Sequence, residues 1–145
     1  MENCIFCKIA RKEMNGHIIY EDKYYIALLD VNPIVYGHTL LIPKRHYKTI
    51  FDLGEEETKN LGRVIKYISD ILNKEFGPNI NISNTSGKYA SQSVEHFHFH
   101  FIPRKKDDRL RDGEKSKIIL DRSSGFERLK PSDEDLEELC KRLKA

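Results

Sequence analysis

Tryptophan is absent from the 145 residues, and cysteine occurs only at Cys4, Cys7 and Cys140. So few thiols, in odd number, do not build a secreted disulfide framework, so they are expected as free thiols or metal ligands. Long apolar runs are missing too. No stretch approaches the ~18 residues that span a bilayer, and the N-terminus lacks the basic-then-apolar pattern of a signal peptide. The expectation is a cytoplasmic chain with no membrane contact. Nor does charge of one sign dominate: 25 Lys and Arg stand against 23 Asp and Glu, too even a balance for a dedicated nucleic-acid binder or a disordered tail. There is no internal repeat and no low-complexity tract. What is present, including 39% hydrophobic residues, fits one domain over residues 1–145 with its own core and small-molecule partners.

Local patterns divide the chain. The opening to about Met14 predicts one or two helical turns, ended by the turn at Asn15 and Gly16. Strands are expected at His17 to Tyr20, Tyr24 to Leu29 and His38 to Ile42, spaced for an antiparallel meander. From Glu55 to Phe76 the apolar period changes: Leu61, Val64, Ile65, Ile68 and Leu72 recur at helical steps, acids fill the first turn, and Gly77 with Pro78 stops the helix. Two further strands follow, Asn79 to Asn84 and Val94 to Pro103, joined by the polar loop Thr85 to Ser93. Arg104 to Ser116 is nearly all charge in mixed sign and reads as an exposed excursion. Ser132 is placed to cap a last helix whose Leu136, Leu139, Cys140 and Leu143 share one face, making Cys140 a core residue.

Two groups of residues could carry chemistry. In VEHFHFHFIPR, His96, His98 and His100 alternate with Phe97, Phe99 and Phe101. On a strand that alternation makes one face core and the other a row of imidazoles roughly 7 Å apart. Imidazole titrates nearest neutrality, so one ring of such a row can attack phosphorus while another binds phosphoryl oxygens or protonates a leaving group. Asn84, Gln92, Ser93 and nearby amides could cradle the phosphate. The same row could instead hold a metal ion with an activated water, as in a metallohydrolase, or could be a solvated face. The second group is Cys4 and Cys7. Their spacing suits two of the four ligands of a tetrahedral zinc, with His46 and one of the row as possible completers, and it equally suits a pair of reduced thiols.

His96-Phe97-His98-Phe99-His100-Phe101-Ile102 matches the pattern His-φ-His-φ-His-φ-φ, with φ apolar, and the chain resembles the histidine triad superfamily of nucleotide hydrolases and transferases. The likeness also runs through Cys4 to Ile9, Tyr20 to Asp22, Leu29 and Asp30, Gly37 to Leu40, Ile42 to Lys44 and Gln92 to Val94, covering about two thirds of the chain. Residues 104–145 form a variable C-terminal extension. The resemblance implies an α+β fold with a five-stranded antiparallel sheet, a long central helix, a short N-terminal helix and, here, a C-terminal helix, in a homodimer whose sheets join across the two-fold. It implies attack at the α-phosphorus of a nucleoside monophosphate conjugate, either a phosphoramidate or a dinucleoside polyphosphate, with a purine nucleotide as substrate. Carried over by position, His98 is the nucleophile, His100 assists at the phosphate and His38 supports the row. Asn84 and Ser93 become further phosphate contacts, with Gln92 near the leaving group. Asp30 takes the ribose hydroxyls, and Ile5, Phe6, Ile9 and Leu28 line the base pocket. Cys4, Cys7, His46 and His96 are the ligands of a structural zinc, and no organic cofactor is implied. A nucleotide-binding module without catalysis is the other reading; an intact His98 speaks against it. The family's usual glycine before Gln92 is Ser91 here, and Glu95 stands where many relatives carry a neutral residue.

Overall fold

The computed structural model describes residues 3–112, 117–118 and 127–144. Five strands form one antiparallel sheet: β1 (Ile18–Glu21), β2 (Tyr25–Leu29), β3 (Thr39–Pro43), β4 (Ile80–Ser83) and β5 (Phe99–Pro103). Their spatial order is β1-β2-β3-β5-β4, so the meander of the first three continues into β5, and β4 lies at the far edge. Helix α1 (Ile5–Ala10) precedes β1, and α2 (Glu55–Phe76) crosses from the first three strands to β4. A short hairpin of β6 (Arg111–Asp112) and β7 (Lys117–Ile118) follows β5, and α3 (Asp133–Lys144) ends the fold. This is the α+β architecture the sequence implied. None of the described helices is long and apolar enough to cross a membrane.

Alternation along the central strands explains why helices lie on both faces. Tyr25, Ala27 and Leu29 of β2, with Leu41 and Phe101, meet Val64, Ile68 and Leu72 of α2 and the Leu136, Leu139, Cys140 and Leu143 face of α3. Ile26, Leu28, Leu40 and Ile42 point the other way, onto Phe6 and Ile9 of α1. All five residues of β2 and all five of β3 are consequently buried, as expected for strands covered on both sides. His100 pairs with Leu40 in the ladder and shares its α1-facing side, while Phe101 turns to the helices. The end of α2 matches its signals: Gly77 adopts φ 90° and its N–H closes on Asn73. At α3 the Ser132 hydroxyl accepts the Asp135 N–H at 3.1 Å, the expected cap.

Three expectations change. Helix α1 stops at Ala10 rather than near Met14. The strand drawn from Val94 begins only at Phe99, because other partners take the preceding backbone: Phe97 N–H donates to Tyr47 O, and the Asn84 amide donates to His98 O. His96 and His98 therefore do not lie on the strand. The charged segment after Pro103 is not simply exposed. Arg104 and Asp108 are buried as a two-bond pair at 2.7 and 2.8 Å, and Leu110 packs with Ile34, Val35 and Ile102. Two charges are tolerated there because Asn81 and the Lys105 and Leu110 amides complete their hydrogen bonds. Residues 113–116 of that segment lie outside those described.

The Arg104 guanidinium holds the Asp108 carboxyl at about 2, below the ordinary value near 3.9. A depressed acid stabilises the fold above its unfolded pKa, and that contribution disappears as pH falls from ~4 to ~2. In urea titrations, the stability difference between wild type and Asp108→Asn is expected to shrink by on the order of 1 kcal/mol across that window, screening allowed for. Parallel pH profiles for the two proteins would contradict this.

Candidate active site

The irregular stretch before β5 lets three neighbouring histidines face three different partners, which a regular strand could not do. Its shape is fixed by side-chain amides. Gln92 accepts the Gly87 N–H through Oε1 and donates through Nε2 to Lys48 O and Val94 O. Asn84 donates to His98 O and accepts the Ser86 hydroxyl, which in turn accepts the Ile50 N–H. Ser91 takes the left-handed conformation, φ 66° and ψ 34°, at the end of the one-turn 3-10 helix Lys88–Ala90, a geometry glycine adopts without cost and serine does not. Ser93 follows, exposed on the same loop.

Which ring nitrogen carries the proton follows from these partners. His98 Nδ1 lies 2.7 Å from His96 O, a carbonyl that can only accept, so Nδ1 donates. A neutral His98 then keeps its lone pair on Nε2. His38 Nδ1 accepts the Ile34 backbone N–H at 3.1 Å, so the His38 proton sits on Nε2. That nitrogen is 2.8 Å from His100 Nδ1 and donates to it. His100, when neutral, must carry its own proton on Nε2. The outcome is a pair of imidazoles, ring centres 4.9 Å apart, with opposite tautomers: His98 offers a lone pair and His100 an N–H. His38 and His98 are almost fully buried, and Phe6 sets its ring edge-on against both His96 and His98.

His96 faces away from that pair. Its Nε2 donates to Pro43 O at 2.9 Å, leaving a bare Nδ1 turned to Cys4 and Cys7 Sγ at 3.3 and 3.5 Å. His46 Nδ1 lies 3.3 Å from Cys7 Sγ, and the four ligand atoms all fall within 4.8 Å of one another. Tetrahedral bonds of about 2.3 Å to sulfur and about 2.0 Å to nitrogen place such atoms ~3.5 Å apart, so the set fits a zinc-sized ion. The chemistry fits as well. Burial holds His96 down to about 4 and lowers His46, so both rings stay neutral donors at pH 7. The Pro43 carbonyl fixes His96 in the tautomer that ligation through Nδ1 requires. Burial pushes the Cys7 thiol up, and the positive charge of a bound ion is what allows two thiolates to share such a place. These four residues could hold a metal. Among the described residues the three row histidines do not form a ligand set with one another.

The remaining candidates border the histidine pair. Phe6, Ile9 and Leu28 are buried together between α1 and the sheet, whereas Ile5 is 46% exposed at the helix surface. Asp30, just past β2, accepts the Asn32 N–H on Oδ1, and its Oδ2 lies 3.8 Å from His38 Nδ1, too far for a hydrogen bond. Sequence reasoning missed the Ile34 amide, Ser86 and Arg128. A backbone donor has no side-chain signal, and Arg128 is 98 residues from the Asp30 it touches.

A model of the HIT domain matches residues 11–107. An uncharacterized HIT-like protein of Methanocaldococcus jannaschii is 39% identical over 120 residues, 81% of this chain and 93% of that one. The adenosine 5′-monophosphoramidase of Saccharomyces cerevisiae is 35% identical over 104 residues, 72% of this chain and 64% of that one. Among solved structures, a zinc-bound histidine triad family protein from Mycobacterium smegmatis has a TM-score of 0.74 at 29% identity, covering 99% of this chain and 91% of that one. Because the family match runs over the same span that holds His38, His98 and His100, this chain belongs to the histidine triad (HIT) family.

Proposed function

We propose that the protein is a hydrolase or nucleotidyl transferase that cleaves a purine nucleoside monophosphate conjugate at the α-phosphorus through His98. The observation that carries the reading is the His98 Nδ1–H bond to His96 O, which leaves Nε2 as the attacking lone pair. Nε2 forms a bond to phosphorus, and the leaving group departs with the electron pair of its own bond to phosphorus and takes up a proton from solvent. Nδ1–H, held on a carbonyl, stabilises the positive charge that then rests on the ring. His100 Nε2–H points its proton toward the phosphoryl oxygens, and His38 holds it in that tautomer. Water next attacks phosphorus and releases a proton, while the nitrogen–phosphorus electron pair returns to His98.

Asp30 takes the ribose hydroxyls in this reading, Phe6, Ile9, Leu28 and Ile5 form the base pocket, and Asn84, Ser93 and Gln92 serve the phosphate and leaving group. The phosphoramidase activity named for the yeast relative favours an amine leaving group over a second nucleotide. The Cys4, Cys7, His46 and His96 set holds a structural zinc that ties α1, which carries part of the base pocket, to the β3 and β5 ends of the sheet. β4 is an edge strand with Ile82 40% exposed, which suits continuation of the sheet into a homodimer.

Two outcomes are expected. Intact-protein mass spectrometry after an acid-free quench with adenosine 5′-phosphoramidate shows a nucleotidyl adduct on wild type only, and His98→Ala loses at least about three orders of magnitude in kcat; turnover surviving in His98→Ala would sink the assignment. Elemental analysis finds one zinc per chain, and chelation or Cys4→Ser with Cys7→Ser lowers the unfolding temperature. Loss of turnover on chelation at an unchanged unfolding temperature would instead support a metal-activated water.

A further inference from the structure

The C-terminal extension returns to the nucleotide side of the molecule. Leu129 N–H donates to Pro33 O at 2.9 Å, and Arg109 donates to the Glu127 carbonyl, so the segment is fastened on both sides. Between those anchors Arg128 Nη1 bridges two acceptors, Asp30 Oδ2 at 3.2 Å and Asn32 O at 3.0 Å. Both side chains are largely enclosed, 19% and 15% exposed. Asp30 thus accepts Asn32 N–H on one oxygen and Arg128 on the other, so different parts of the chain hold its carboxylate.

We propose that Arg128 is a positioning residue for ribose recognition: it fixes the Asp30 carboxylate in the orientation that receives the nucleotide's 2′- and 3′-hydroxyls. The proposal rests on the reading of Asp30 as the ribose ligand. A charge-assisted bond to guanidinium is strong enough to hold a carboxylate in one rotamer. Pre-setting that rotamer removes an ordering cost from binding. The same bridge holds the loop whose Ile34 amide sets the His38 tautomer, so the extension and His38 are joined through the three residues Asn32 to Ile34.

The test compares kcat/KM for adenosine 5′-phosphoramidate and its 2′,3′-dideoxy analogue in wild type, Arg128→Met, Arg128→Lys, Asp30→Asn and the Arg128→Met/Asp30→Asn double variant. Wild type is expected to prefer the ribonucleotide. Arg128→Met reduces that preference about tenfold, mainly through KM, Arg128→Lys restores most of it, and the double variant falls no further than Asp30→Asn. Arg128→Gln, which keeps stem length and a donor without charge, shows the same fall should the methionine variant not fold. Equal losses on both substrates would reduce Arg128 to a fastening for the extension and overturn the proposal, as would a lower KM for the ribonucleotide. A wild type without ribose preference, or an unaltered preference in Asp30→Asn, would overturn the ribose role of Asp30 and the proposal with it; an intact Asp30→Asn effect beside a silent Arg128 overturns the proposal alone.

Discussion

The Ile34 amide points its proton at His38 Nδ1 from 3.1 Å, and the proton order of His38 and His100 follows from that bond. A ring nitrogen that accepts cannot also donate, so His38 must donate from Nε2 and His100 must accept on Nδ1. The amide itself is placed by the turn between β2 and β3. Gly37 is part of that turn, at φ 98° and so close to Phe76 that a Cβ would stand 2.5 Å from its ring, and His38 N–H closes on Val35 O. Backbone geometry at one end of the sheet thereby fixes which ring nitrogen of His38 and of His100 carries the proton.

A second constraint is the early end of regular pairing on β5. Were Val94 to Pro103 a continuous strand, His96, His98 and His100 would point the same way and meet the same surroundings. Instead Tyr47 O and the Asn84 side chain take the backbone bonds a neighbouring strand would have supplied. Released from the ladder, His96 turns to two thiols and a carbonyl while His98 uses the His96 carbonyl as its own orienting acceptor. The metal-fit cluster and the His98–His100 pair are consequently adjacent along the chain but chemically separate.

Much of this was legible in the sequence where the controlling interactions are local. The bounds of α2, the cap at Ser132, the buried face of α3 and the core role of Cys140 all arise from residues within a few positions of one another. The alternation of His and Phe correctly separated polar from core-facing residues at His100 and Phe101, and failed at His96 and His98, where a partner 50 residues away, Tyr47, competes for the backbone. Charge composition misread Arg104 and Asp108 because it counts charges and not their pairing; each is buried by virtue of the other. The ligand group was visible as residue types, but its convergence depends on three separate chain segments, and only the resemblance to a known family singled out His96 from the row.

The most direct measurement is the tautomer of each histidine in uniformly 15N-labelled, ligand-free protein, read from long-range 1H–15N correlations of the imidazole rings near pH 7.5. The structure predicts Nδ1–H for His98 and Nε2–H for both His38 and His100. A His98 ring protonated on Nε2, or a His100 ring protonated on Nδ1, would remove the His98 Nε2 lone pair or the His100 Nε2–H on which the proposed chemistry depends and contradict it at its centre.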